Sequence, residues 1–134
     1  MVGVVVASAY VAYPLANSKP TSLPAWCVRP KGGYLIVANI DGYNESTSHD
    51  VPNNAWPVID VAKGSNVTIA VCNTDHQAHG FQIRYYHDSN IETVAPGRML
   101  TVSFMATQKG SFAIYCDIPC TVHAFMVSGK LVVA

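Results

Sequence analysis

Apolar residues recur at every second position over short stretches of this chain, with turn signals between them. In residues 66–72, Val67, Ile69 and Val71 share one face while Thr68 and Ala70 take the other. Leu100, Val102 and Phe104 alternate with Thr101 and Ser103, Phe81, Ile83 and Tyr85 alternate with Gln82 and Arg84, and Phe112 and Ile114 share a face within residues 110–116. A period of two belongs to a strand with one buried face, because successive side chains point to opposite sides. Residues 33–39 (GYLIVAN), 56–61 (WPVIDV) and 127–133 bring the predicted strands to seven. Pro57 has no N–H to give a ladder, which places 56–61 at a sheet edge. Lys63-Gly-Ser, Pro96-Gly and Lys109-Gly supply turns, and residues 44–54 read as a loop. No helical period extends over a useful length. The pattern predicts an all-β fold, an antiparallel Greek-key β-sandwich.

Composition narrows the functional classes. The chain has 134 residues, half of them hydrophobic and 12% charged, with a formal net charge of zero. One domain of this length can bury a sizeable core. Nucleic acid is not an expected partner, since its binding needs a concentrated Lys/Arg footprint. The apolar run that opens the chain is about a dozen residues, short of the ~20 of a spanning helix, and no Lys or Arg precedes it. Residues 1–20 are therefore expected to be a membrane-anchor stub or leader remnant, or else an N-terminal strand, with the domain itself at 21–134. The sequons at Asn44 and Asn66 fit an extracytoplasmic location.

Cysteines stand at 27, 72, 116 and 120. Cys27 and Cys72 lie in ordinary strand or loop sequence, so a disulfide between them is open. Cys116 and Cys120 keep other company, in Tyr115-Cys-Asp-Ile-Pro-Cys-Thr-Val-His-Ala-Phe-Met126. Two thiols, an imidazole and a thioether fall within eleven positions just after a predicted strand. Soft sulfur with imidazole suits copper in both its common oxidation states. By parity Cys116 shares a face with Phe112 and Ile114, and His79 with Phe81 and Ile83. Both should aim inward at one end of the sandwich, with Phe81, Ile118 and Phe125 keeping water out.

From Asn73 (NTDHQAHGF) through Pro96-Gly to Leu131, the chain resembles the binuclear copper (CuA) domain of cytochrome c oxidase subunit II. The resemblance implies a cupredoxin sandwich holding two copper ions. By position, the thiolates of Cys116 and Cys120 would bridge the ions and His79 and His123 would each complete one. Met126 and the backbone carbonyl of Ile118 would be the axial donors. It also implies one-electron transfer from a donor such as cytochrome c or a blue copper protein, with oxidase core subunits as further partners. The location implied is an extracytoplasmic membrane face.

The family loop is C-x3-C-x3-H-x2-M, whereas this one is C-x3-C-x2-H-x2-M. The segment Cys120–Met126 thus also resembles the C-x2-H-x2-M loop of amicyanin-type proteins, which hold one copper. Against that, Cys116 lies six residues past Gly110, where both families place the strand-end thiolate.

Simpler roles suit several other residues. His49 and His87 read as surface or satisfied histidines, and Met99 and Met105 as core packing. His79 is preferred to His76 because Gly80-Phe81 follows it. Asp117 reads as a solvated loop residue, or as one that tunes charge near the copper. A local Cys116–Cys120 disulfide, a thioredoxin-fold copper carrier and a copper-storage protein are the rival readings. No Ser-His-Asp pattern, carboxylate-pair motif or phosphate loop points to a catalytic residue.

Overall fold

A computed structural model describes residues 23–44 and 56–134. Ten strands lie among them: β1 (Tyr34–Asn39), β2 (Gly42–Asn44), β3 (Val58–Val61), β4 (Asn66–Asn73), β5 (His79–Gly80), β6 (Gln82–Ile83), β7 (Thr93–Val94), β8 (Met99–Met105), β9 (Gly110–Tyr115) and β10 (Gly129–Val133). They form two four-stranded sheets, β2-β1-β4-β8 and β3-β10-β9-β6, and a small β5-β7 pair. The predicted all-β sandwich is the architecture found, and the βαβ units of a thioredoxin-fold carrier are absent among the described residues. Pairing is mixed rather than purely antiparallel, since β1 runs parallel to β4 and β3 parallel to β10. The β3 strand does lie at an edge, as Pro57 requires.

Alternation sets the core. Ile36, Val67, Ile69, Val71 and Val102 from one sheet meet Ile59, Ile83, Ile114, Leu131 and Val133 from the other, all buried in one cluster. Each such side chain stabilises the fold by about 1.5–3 kcal/mol through the area it removes from water. On β8, Val102 is buried, whereas Met99 and Met105 are exposed. These two methionines are not core residues; the same two-residue period that turns Val102 inward turns them out.

A second small cluster covers the outer face of the first sheet. Cys27, Val37 and Cys72 pack there with Leu23 and Leu35, and Cys27 and Cys72 form a disulfide with a Cα separation of 5.6 Å. The stretch preceding β1 is thereby stapled to β4.

The predicted strand at 81–85 is interrupted. The β5 strand pairs with β7, and after Phe81 the chain joins the main sheet as β6 beside β9. Tyr85 then takes φ 76° in a turn where the N–H groups of Tyr86 and His87 both donate to the Ile83 carbonyl. That turn leaves Tyr85 exposed, stacked on Phe112. Asn44, expected at the start of a loop, ends β2 with its side chain buried and donating to Asn39 Oδ1 at 2.8 Å. The rest of that predicted loop, His49 and the N-terminal stretch 1–20 lie outside the described residues. Among the described residues no helix is long and apolar enough to cross a membrane.

Candidate metal centre

The β9 strand ends at Tyr115, and Cys116 follows with its side chain buried. The backbone of Cys116 donates to the Met126 carbonyl at 2.8 Å, which closes residues 116–126 into a compact loop. Within it, a 3-10 turn at His123–Phe125 brings the imidazole back over the sulfurs. The ligand atoms of Cys116, Cys120 and His123 lie within 4.8 Å of one another. Cys116 Sγ and Cys120 Sγ are 3.9 Å apart and both cysteines are free thiols, so the local disulfide does not form. Cys120 Sγ also stands 3.8 Å from Met126 Sδ, and Met126 is fully buried. The Ile118 carbonyl points into the same space, 3.2 Å from Cys116 Sγ and 3.1 Å from His123 Nδ1.

His79 comes from the neighbouring β5 strand. It is fully buried, and its Nε2 lies 2.8 Å from Asp75 Oδ2. A carboxylate on Nε2 fixes the tautomer and leaves Nδ1 as the free lone pair. Nδ1 is buried with no hydrogen-bond partner among the described residues, yet the ring stands near enough to Cys116 to favour its thiolate. His79 falls outside the 4.8 Å cluster of Cys116, Cys120 and His123, but a buried, orphaned imidazole nitrogen close to the Cys116 thiol fits a metal ligand added from a second stretch. The neighbouring β strand joins in: Gly80 N–H points at Cys116 Sγ at 3.1 Å.

Charge is unevenly shared between the two thiols. Burial alone would push Cys116 up, but the His79 ring, the backbone at Ile118 and Gly80 and the His123 ring bring it down to about 7. Burial and the Cys116 thiolate push Cys120 up to about 11. Burial works against the His79 imidazolium, but Cys116 and Asp75 outweigh it and raise its pKa. Asp75 is held below the usual carboxylate range, where hydrogen bonds from Gln77 and His79 overcome its burial.

Other residues sit differently from their simplest reading. Asp117 is not a solvated loop side chain: its Oδ2 accepts from Gln82 Nε2 at 2.7 Å and from the Glu92 N–H at 3.2 Å. Its Oδ1 is buried beside Gly80, where a Cβ would collide with it. His76 is exposed and stands apart from the thiol cluster, and His87 lies 3.2 Å from the Glu92 carboxylate. Phe81 is fully buried with its ring edge-on to Tyr43, while Ile118 and Phe125 are partly buried against the core. Sequence reasoning missed Asp75, Gln77, Thr121 and Tyr43. Tyr43, on β2, donates to the Gly80 carbonyl of β5 at 2.6 Å, and its hydroxyl is pushed well above the usual range by burial and by the charges of Cys116, Asp117 and Cys120. No periodic signal marks these four; only the folded chain puts them together.

The sequence pattern of the cupredoxin-like domain family matches residues 56–133. No curated protein sequence matches the chain. Among solved structures, auracyanin from the photosynthetic bacterium Roseiflexus castenholzii superposes with a TM-score of 0.57 at 18% identity, covering 76% of this chain and 96% of auracyanin. A chain of a heme-copper terminal oxidase dimer gives a TM-score of 0.57 at 19% identity, covering 94% of this chain and 86% of that one. A multicopper oxidase gives a TM-score of 0.57 at 23% identity over 78% of this chain, which spans only 44% of that protein. At these identities the likeness is one of fold.

Proposed function

Because the chain belongs to the cupredoxin-like domain family, we propose that it is a copper-based electron-transfer domain whose metal is held by His79, Cys116, Cys120, His123 and Met126, with the Ile118 carbonyl as a further donor. Copper supplies a one-electron couple at such a site. The chain's own part is to bind, orient and shield. Two stretches, one ending in His79 and one running from Cys116 to Met126, converge at a single pole of the sandwich. Side chains fixed by packing have little room to relax, so the donors keep their places when the charge of the site changes. Phe81 and Met126 are fully buried there and exclude water.

The observation that carries the reading is the placement of the second sulfur. Cys120 Sγ is 3.9 Å from Cys116 Sγ, less than twice a metal–thiolate bond of about 2.3 Å. Both thiolates would therefore be able to hold one and the same ion, which supports Cys120 as a ligand beside Cys116. The count of two coppers rests on the resemblance to the CuA pattern, from which this loop departs by one residue, since the sulfur distance would suit one ion as well. The donor would be a protein such as cytochrome c or a blue copper protein, and the acceptor an oxidase core. The Cys27–Cys72 disulfide supports an extracytoplasmic location, where such bonds persist.

Copper counting with electron paramagnetic resonance on the loaded protein tests this. Two coppers per chain sharing one unpaired electron in a seven-line pattern is the expected result. One copper with a four-line spectrum would move the assignment to the mononuclear, amicyanin-like site. Copper readily stripped by chelators with no reversible redox wave would point to delivery or storage.

A further inference from the structure

Between the two ligand-bearing stretches lies a side chain that belongs to neither ligand set. The Gln77 amide makes three hydrogen bonds, one within its own stretch and two across the gap. Its Nε2 donates to Asp75 Oδ2 at 3.0 Å and to Thr121 Oγ1 at 2.6 Å, and its Oε1 accepts from the Thr121 backbone N–H at 3.0 Å. Asp75 Oδ2 is the same oxygen that lies 2.8 Å from His79 Nε2. Thr121 directly follows Cys120 in the chain. A continuous path thus runs from the His79 ring through Asp75 and Gln77 to the backbone beside the second thiol. The near end is itself anchored: Asn73 Nδ2 donates to the Gln77 carbonyl and to the Val94 carbonyl, each at 2.8 Å, and Asn73 Oδ1 accepts from the Asp75 N–H at 2.8 Å.

We propose that Gln77 is a positioning residue that clamps the His79 stretch to the Cys116–Met126 loop and thereby sets how tightly copper is retained. The inference rests on the reading of His79 and Cys120 as ligands. For copper to leave, its donors must separate, and the two stretches share no covalent link nearer than the strands behind them. The amide bridge resists that separation at the solvent edge, where Thr121 is exposed, while the Gly80 N–H against Cys116 Sγ and the Gln82–Asp117 bond hold the two stretches deeper in. Gln77 also bonds the Asp75 oxygen that meets His79, while the His76 N–H holds the other oxygen at 2.7 Å, so losing Gln77 loosens the carboxylate at the oxygen that orients the imidazole. Glutamate could not replace it, because a second carboxylate would then face Asp75 Oδ2 at hydrogen-bond distance.

The test has two parts. In the metal-free wild type, hydrogen exchange followed by NMR should show the Thr121 amide protected despite its exposed side chain; exchange at the rate of an unstructured peptide would overturn the proposal. In the copper-loaded protein, Gln77→Ala should speed release to a Cu(I) chelator by about tenfold or more, the usual scale for losing a partner outside the ligand set, and shift the thiolate-to-copper absorption band. Thr121→Ala, which keeps the backbone bond and removes only Oγ1, should give a smaller increase, and the double variant should match Gln77→Ala alone. Unchanged release and an unchanged band in Gln77→Ala, alongside a changed band in His79→Ala, would overturn the clamp and leave the ligand set standing. An unchanged band in His79→Ala would remove the ligand reading, and the clamp with it.

Discussion

Gly80 is where the two ligand-bearing stretches press closest, and Gly80→Ala should expose how much that contact matters. A Cβ at this position would collide with Asp117 Oδ1 and come within 2.7 Å of the Asp117 nitrogen and 3.1 Å of the Ile118 nitrogen. Two of those three atoms are backbone, so no rotamer change relieves the crowding. Overpacking of a close-packed interior costs about 1–3 kcal/mol. Driving the Asp117 carboxylate aside also disturbs its bonds to Gln82 and Glu92, at about 1.5–3 kcal/mol for a hydrogen bond to a charged group. With partial relaxation the loss should be about 3 kcal/mol, or roughly 10 °C in Tm for a domain of this size. Denaturant unfolding of the metal-free protein reads the stability. The copper-loaded form reads the site, because pushing residues 117 and 118 outward moves Cys116 and the Ile118 carbonyl and should shift the thiolate-to-copper band. Adding Asp117→Ala removes the Oδ1 collision but not the backbone one, so the double variant should recover part of the loss beyond additivity. A Gly80→Ala protein within about 0.5 kcal/mol of wild type, with an unaltered band, would refute the close approach of these two stretches.

The Cys27–Cys72 disulfide closes a loop with a sequence separation of 45, which by loop entropy contributes about 4 kcal/mol. The paired substitution Cys27→Ala with Cys72→Ala should lower the unfolding free energy by that order in urea titrations, and a loss under 1 kcal/mol would count against the staple. Tyr43→Phe removes the 2.6 Å bond from β2 to the Gly80 carbonyl of β5. It should cost about 1–3 kcal/mol in thermal or denaturant unfolding, and no measurable cost would show the bond to be idle. Met126→Leu keeps the volume of a fully buried side chain, so stability should fall by less than about 1.5 kcal/mol. By voltammetry the bound copper should stay in place with a changed reduction potential, as for a weak axial thioether; outright copper loss would contradict an axial role.

Much of the fold was legible because a two-residue period reports burial directly. The runs around Val67–Val71 and Leu100–Phe104 name their own inward faces, and the structure buries Val67, Ile69, Val71 and Val102 accordingly. The same period misled at 81–85. Phe81 and Ile83 are buried, but the chain leaves the sheet after Ile83 because Tyr85 adopts a left-handed conformation in a turn, and no alternation predicts a positive φ. Pairing direction was also out of reach: β1 beside β4 and β3 beside β10 are parallel, and a strand's own sequence does not say which way its neighbour runs.

For the site, the residues by themselves determined the donor chemistry: two thiols, an imidazole and a thioether at close spacing after a strand, with a second imidazole elsewhere. Spacing within one loop survives folding, since a few residues cannot carry their side chains far apart. What only the tertiary structure decided is the approach of the other stretch. It places the orphaned His79 Nδ1 at the same pole as the thiols, ties Asp75 to the far side of that ring, and lays Gln77 across to Thr121, forty-four positions away. Hydrogen bonds over such separations depend on how two sheets stack and where their strands end, and that geometry is a property of the whole packed chain rather than of any segment of it.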